Sequence, residues 1–202
     1  MKDKLKAALD KHPKKLVDEA PHQNNLPPIP AGVLIPIYEK DNDYFLIFTL
    51  RTDLVEHHKG QISFPGGAFH PGDANLLDTA LRESFEEIGL LPSDVRVVGE
   101  LDDLITNSNF RVTPFVGFVP YPYTFHANKA EVAEIIHVPM SMLLDKRYSR
   151  QEKRPDGVTD YYYNCYGYII WGVTARILKP FLDIITSEGL LKQPGAPRVG
   201  ER

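Results

Sequence analysis

Cysteine is almost missing from this chain. Cys165 stands alone, which excludes an intramolecular disulfide framework and a zinc site made of cysteine only; with no partner to mark it as a nucleophile, it reads as structural. Long apolar runs are missing as well: no stretch approaches the roughly 20 apolar residues that a membrane-spanning helix needs. Basic residues are in deficit, 23 against 27 acidic, for a net charge of −4. A broadly basic nucleic-acid-binding surface is therefore not expected, and neither a nucleic-acid nor a membrane partner is indicated. An anionic substrate would meet an unfavourable field unless something local reversed it, and a bound metal ion is the obvious candidate.

The 202 residues, 43% hydrophobic and 25% charged, suit one globular domain with an added arm. Residues 1–16 are lysine-rich, with Leu5, Ala8 and Leu9 at helical spacing. They lack the apolar core of a secretory signal, so they read as a short amphipathic helix of a cytoplasmic protein. The proline-rich stretch 22–30 reads as a linker, giving an arm over 1–29, a main domain over 30–190 and a disordered tail over 191–202. The arm and linker are the candidate contacts for a homodimer.

Within the main domain, 31–38 and 44–50 are β-rich runs around the turn-like 40–43, which predicts a hairpin. A short strand is expected at 61–64, stopped by Pro65-Gly66-Gly67, with further strands at 96–101, 112–119, 135–138 and 161–168. A helix is expected over 73–88, with Leu77, Ala80, Leu81, Phe85 and Ile88 on its buried face, Asp73 as N-cap and Gly89 as its left-handed stop. A closing helix is expected over 173–187, and Trp171 reads as core. Dominant strands with a helix in mid-chain and another at the end argue for an α/β (α+β) sandwich.

The mid-chain helix carries the chemistry. Glu83, Glu86 and Glu87 fall at i, i+3 and i+4 and share a face. Three like charges so placed repel, which asks for a compensating cation, and hard oxygen donors favour Mg²⁺ or Mn²⁺. Arg82 has two available roles: an ion pair with Glu86 one turn on, or locking a carboxylate rotamer. The plain alternative is a solvated helix face. What weighs against it is the preceding Pro65-Gly66-Gly67, because adjacent glycines permit close backbone approach.

The segment from Gly67 to Leu90 resembles the Nudix box, G-x5-E-x7-R-E-U-x-E-E-x-G-U with U apolar. Gly67, Arg82, Glu83, Glu86, Glu87, Gly89 and Leu90 match. Asp73 replaces the first glutamate, eight residues rather than seven precede Arg82, and Ser84 takes an apolar position. The first two departures also occur in the coenzyme A pyrophosphatase branch, whose upstream pattern L-L-T-x-R-S-x3-R-x3-G-x3-F-P-G-G-x2-D aligns with 47–70. Thr49, Arg51, Gly60, Phe64, Pro65, Gly66 and Gly67 match it, while Glu56 stands where that branch has arginine and His70 where it has aspartate. The likeness runs over 30–186.

The resemblance implies a Nudix-type α/β/α sandwich with a mixed sheet, using Mg²⁺ or Mn²⁺ to cleave the diphosphate of a nucleoside diphosphate linked to another group. For coenzyme A the products are 3′,5′-ADP and 4′-phosphopantetheine. It assigns Glu83 and Glu87 as metal ligands and Glu86 as a ligand or the general base. Glu131 and Glu134, just before a strand, are the other base candidates, or else exposed loop carboxylates. Arg51 and Lys59 are candidate phosphate ligands beside Gly66 and Gly67, and His57 and His58 lie nearby. Tyr161, Tyr162, Tyr163, Tyr166 and Tyr168 are either a stacking surface or ordinary strand residues, and Asn107 and Ser108 lie in a loop that can reach substrate. The reversed charge at Glu56 keeps open a pyrophosphatase acting on ADP-ribose, NADH or a nucleotide sugar. A non-catalytic nucleotide-binding module is a further alternative, disfavoured because Arg82 and the three glutamates are retained.

Overall fold

The computed structural model describes residues 1–12, 14, 26–52 and 60–191. The expected tail from 192 onward, residues 22–25 of the linker, and Glu56, His57, His58 and Lys59 lie outside the described residues. Among the described residues, no helix is long and apolar enough to cross a membrane.

The hairpin forms from β1 (Ile29–Lys40) and β2 (Asp43–Arg51), turning through Asp41 and Asn42, both at positive φ. Its strands pair only near the turn, from Ile37↔Leu46 to Lys40↔Asp43, and then part. The gap is filled by β3 (Ile62–Ser63) against β2 and by β4 (Gly66–Ala68) against β1. The short strand β3 stops before Pro65, as expected, and Gly66-Gly67-Ala68 then begins a new pairing with Ala31–Val33. On its other edge β1 runs parallel to β7 (Phe110–Phe118), which carries β5 (Arg96–Glu100) and β6 (Leu104–Ile105), and β8 (Val132–Pro139), followed by the short helix α3 (Met140–Leu144), completes the mixed sheet on β2.

Side-chain alternation along these strands makes two cores. Leu34, Ile47 and Phe115 face helix α2 (Leu76–Ile88), while Ile35, Phe48 and Val116 face α1 (Lys2–Lys11) and α4 (Gly172–Ser187). Helices on both faces of a mixed sheet make the fold the expected α/β/α sandwich. In α1, Leu5, Ala8 and Leu9 are buried as their spacing predicts. A second sheet, formed by β9 (Ser149–Lys153), β10 (Thr159–Cys165) and β11 (Tyr168–Ile170), lies before α4. The single strand expected at 161–168 is thus a hairpin, because Tyr166 and Gly167 both take positive φ and reverse the chain. Cys165 is buried, and burial pushes its thiol up to about 12, consistent with a structural role.

Helix α2 starts three residues later than expected. Its N-cap is Asn75, whose side chain accepts from the Asp78 N–H, not Asp73. It ends at Gly89 in the left-handed conformation, as expected. Its buried face also differs. Phe85 is 48% exposed, whereas Thr79, Ala80, Ser84, Glu87 and Ile88 are buried. The reason lies at Gly32 in β1: a Cβ there would overlap the Leu76 carbonyl oxygen and crowd the Ala80 amide. Backbone packs on backbone at this point, so the helix presents small residues to the sheet. Ser84 fits this face because its hydroxyl donates to the Ala80 carbonyl at 2.6 Å, so its own buried polar atom is paired.

We expect Gly32→Ala to lower the unfolding free energy by about 3 kcal/mol, since neither backbone can give way. Gly157→Ala, in an open turn with nothing near the added methyl, should cost about 1 kcal/mol. Urea unfolding of the two variants measures the difference.

Candidate functional site

Arg82, half-buried on α2, organises the site. Its Nε and Nη2 donate to the two oxygens of Asp73 at 2.8 and 3.1 Å, a bidentate pair. Asp73 also accepts from the Thr79 hydroxyl and the His70 N–H, and with Arg82 as the leading cause these bonds hold its carboxyl well below the usual range. The residue expected to cap the helix is instead the anchor of Arg82. With one edge of the guanidinium fixed, Nη1 reaches Glu83 Oε1 at 2.8 Å and Glu86 Oε2 at 3.0 Å. Both roles foreseen for Arg82, pairing with Glu86 and fixing a carboxylate, occur together.

The three glutamates of the helix differ sharply in exposure. The Glu86 side chain is 51% exposed, Glu83 18% and Glu87 3%. Glu83 lies against Gly67, where a Cβ would come 2.5 Å from its Cδ, so only glycine leaves room for the carboxylate. Burial raises the Glu83 carboxyl, Arg82 opposes this, and the charges of Glu86 and Glu131 add to it. Glu87 is pushed up to about 8 by burial first, with Glu83 and Glu131 adding and with Arg51 and the Gly66 N–H opposing. Arg51 Nη1 stands 3.8 Å from Glu87 Oε1, whereas Glu87 Oε2 and Arg51 Nε are buried without a hydrogen-bond partner among the described residues.

Glu131 and Glu134 separate clearly. The loop before β8 is pinned to the end of α2, the Asn128 N–H donating to the Glu87 carbonyl and the His126 N–H to that of Ile88. It is pinned just beyond the end of β2 as well, where Thr52 donates through its amide to the Glu131 carbonyl and through its hydroxyl to that of Ala130. These bonds hold Glu131 half-buried beside Glu83 and Glu87, whose carboxyls its charge raises. Glu134, two residues into β8, is exposed and accepts from the Tyr168 hydroxyl at 2.6 Å. His70 uses its ring Nδ1 to accept from the Gly72 N–H, a turn-forming contact.

Among the described residues, no three histidine, cysteine or acidic side chains converge on one point. Glu83 and Glu86 lean on Arg82, and Glu87 is buried near Arg51. The set nonetheless fits a hard divalent cation: oxygen donors only, held up by desolvation and mutual repulsion, with one buried carboxylate oxygen lacking a donor. Beside it opens a cavity of about 220 Å³ walled by Arg51, Gly66, Phe64, Ser108 and Trp171. Asn107 lines an adjoining cavity of about 490 Å³. Trp171, expected in the core, is 48% exposed on these walls, because it sits at the N-cap of α4 rather than inside a strand. Gly32 and the anchoring role of Asp73 were not foreseen. A glycine inside an apolar strand was the available signal for the first, and an acid nine residues before an arginine gives no local signal for the second.

A family model described as the NUDIX domain matches residues 28–155. The chain is 41% identical over 152 residues to the uncharacterized Nudix hydrolase NudL of Yersinia enterocolitica, covering 74% of this chain and 77% of that protein. It is 37% identical over 169 residues to the NudL of Photorhabdus laumondii, covering 82% and 86%. A crystal structure of a Nudix hydrolase from M. smegmatis, RenU, aligns over 86% of this chain and 96% of its own at a TM-score of 0.55 and 13% identity; that likeness is one of fold.

Two stability effects follow from the site. Asp73→Asn should lower stability by about 3 kcal/mol, because Arg82 loses a buried charged partner. Glu87→Gln should instead stabilise the metal-free protein. A carboxyl raised from 4.5 to about 8 on folding ionises first in the unfolded chain, so its cost is absent below pH 4.5, grows as pH rises and levels off near 8. The advantage of the glutamine should therefore reach roughly 2 kcal/mol at neutral pH and vanish in acid. Chemical denaturation of both variants between pH 4 and 8, in EDTA, checks both statements.

Proposed function

Because the chain belongs to the Nudix family, we propose that it hydrolyses the diphosphate of a nucleoside diphosphate joined to a second group, with coenzyme A or its derivatives as substrate. The observation that carries this reading is the buried carboxylate of Glu87, whose Oε2 has no partner among the described residues, set with Glu83 and Glu131 next to Arg51 and Gly66 of the cavity wall. A surface charge run gives no reason for burying Glu87 or for shaping Gly67 to the carboxylate of Glu83. The coenzyme A assignment rests on the upstream residues Thr49, Arg51, Gly60 and Phe64 to Gly67, and on the aspartate at 73.

In this reading Glu83, Glu87 and Glu86 hold Mg²⁺ or Mn²⁺, which when bound neutralises non-bridging phosphate oxygens and lowers the pKa of water. Arg82, fixed by Asp73, keeps Glu83 and Glu86 in place between turnovers. Arg51 supplies positive charge to the substrate phosphates from the cavity wall. Gly66 and Gly67 let the diphosphate approach the backbone closely. Glu131 accepts a proton from the attacking water while its oxygen bonds to phosphorus; the bridging P–O bond breaks and the departing phosphate takes that oxygen and its electron pair. For coenzyme A this releases 3′,5′-ADP and 4′-phosphopantetheine. Glu134, held by Tyr168, has no part in the step, and Lys59 remains a candidate phosphate ligand outside the described residues.

The test is hydrolysis of coenzyme A, acetyl-coenzyme A, ADP-ribose, NADH and a nucleotide sugar, each with Mg²⁺ and with Mn²⁺. Coenzyme A should be preferred, and Glu83→Gln and Glu87→Gln should each lower kcat by at least about a hundredfold. Glu131→Gln should lower kcat by about 10²–10⁴, and Glu134→Gln should change it little. Preference for ADP-ribose, NADH or a nucleotide sugar would reject coenzyme A and retain the chemistry. Nucleotide binding without turnover would reject the enzyme.

A further inference from the structure

The cavity at the carboxylate site does not end there. Gln61, Ile62, Thr106, Ser108, Trp171 and Val173 wall both it and the larger cavity beyond, so the two form one groove that starts at Arg51 and Gly66 and runs past Trp171. The far half is bounded by the small sheet and the first turn of α4, with Arg154, Asp160, Tyr162 and Arg176 along it. Its character differs from that of an apolar pocket. Trp171 presents half of its surface there. Arg176 donates through Nη1 to the Ile105 carbonyl and, among the described residues, has no carboxylate within ion-pair distance. Among the described residues, Arg154 has only long contacts to acids, 3.5 Å to Asp160 and 3.6 Å to Asp156. A guanidinium tethered at one corner, with its other donors unclaimed, is suited to a phosphate, and an exposed indole face is suited to a planar ring.

We propose that the far half of this groove is a receptor for an aromatic base whose ribose carries a phosphate of its own, separate from the diphosphate being cleaved. Trp171 stacks on the base, and Arg176 with Arg154 binds the additional phosphate. A long uncharged tail in this half would leave both guanidinium groups without purpose, whereas a phosphorylated nucleoside uses the ring surface and the charge together. About 490 Å³ is within the range of small-molecule sites. This inference deepens the coenzyme A reading and rests on it for the orientation of substrate: cleaved diphosphate at Arg51, phosphorylated nucleoside at Trp171. It makes Arg176 and Arg154 substrate-specificity residues with no part in the cleavage itself.

Trp171 is the single tryptophan of the chain, so its emission reports on the groove without turnover or metal. Titration with adenosine 3′,5′-bisphosphate should quench that emission with a Kd at least about tenfold below that of 5′-AMP, the value of one charge-assisted contact. Arg176→Ala and Arg154→Ala together should bring the two nucleotides within about twofold of each other; both side chains are exposed, so the fold should tolerate their loss. In the activity arm, kcat/KM for coenzyme A should exceed that for dephospho-coenzyme A by a similar factor, and the double variant should erase the difference. The proposal is overturned by the absence of quenching, by equal affinity for the two nucleotides, or by a preference that persists in the double variant. Tight bisphosphate binding without coenzyme A hydrolysis would uphold the groove and reject the coenzyme A reading. Coenzyme A hydrolysis with no discrimination against the dephospho form would do the reverse.

Discussion

The backbone contact between α2 and β1 at Gly32 governs the rest of the site. Two main chains can approach so closely only where no side chain intervenes, and once they do, the rotation of the helix about its axis is fixed. That rotation turns Ala80, Ser84 and Glu87 inward and leaves Phe85 in solvent. A carboxylate is thereby carried into the protein by a packing constraint, against its own solvation preference. The energy comes from the sheet and its two cores, and the site holds part of it as a desolvated charge.

Arginine manages that charge. Asp73 does not touch the carboxylate face; it orients Arg82, and Arg82 in turn holds Glu83 and Glu86. Arg51, on the neighbouring strand, moderates Glu87 from a longer distance. Each carboxylate therefore has a cation nearby but not a saturating one. Such a balance suits a site that must accept and release a hard ion and an anionic ligand together.

Much of this was legible in the sequence where neighbours in the chain decide the outcome. The hairpin at 31–50, the stop of α2 at Gly89 and the grouping of Glu83, Glu86 and Glu87 depend on turn chemistry and helical period. Legibility fails where distant residues compete. Asp73 and Asn75 are equally good caps by residue type, and only the reach of Arg82 assigns Asp73 elsewhere. Glu131 and Glu134 look alike in the sequence; they part because Thr52 and the end of α2 hold one loop while Tyr168 takes the other carboxylate. The β9 strand, Ser-Arg-Gln-Glu-Lys, has no apolar alternation to announce it, and the exposure of Trp171 follows from a helix start that its residue type does not reveal.

The groove has walls of two origins. Arg51, Gly66 and the carboxylates belong to the central sheet and α2, whose geometry is locked by close packing. Trp171 and Arg176 belong to the last helix, beyond the stretch 28–155 that matches the family model, and both are exposed. Substitutions at the far wall cost little folding energy and leave the carboxylates where they are. On the proposed assignment, residues outside the packed centre select the ligand, so the far wall can vary in shape and charge without disturbing the carboxylates.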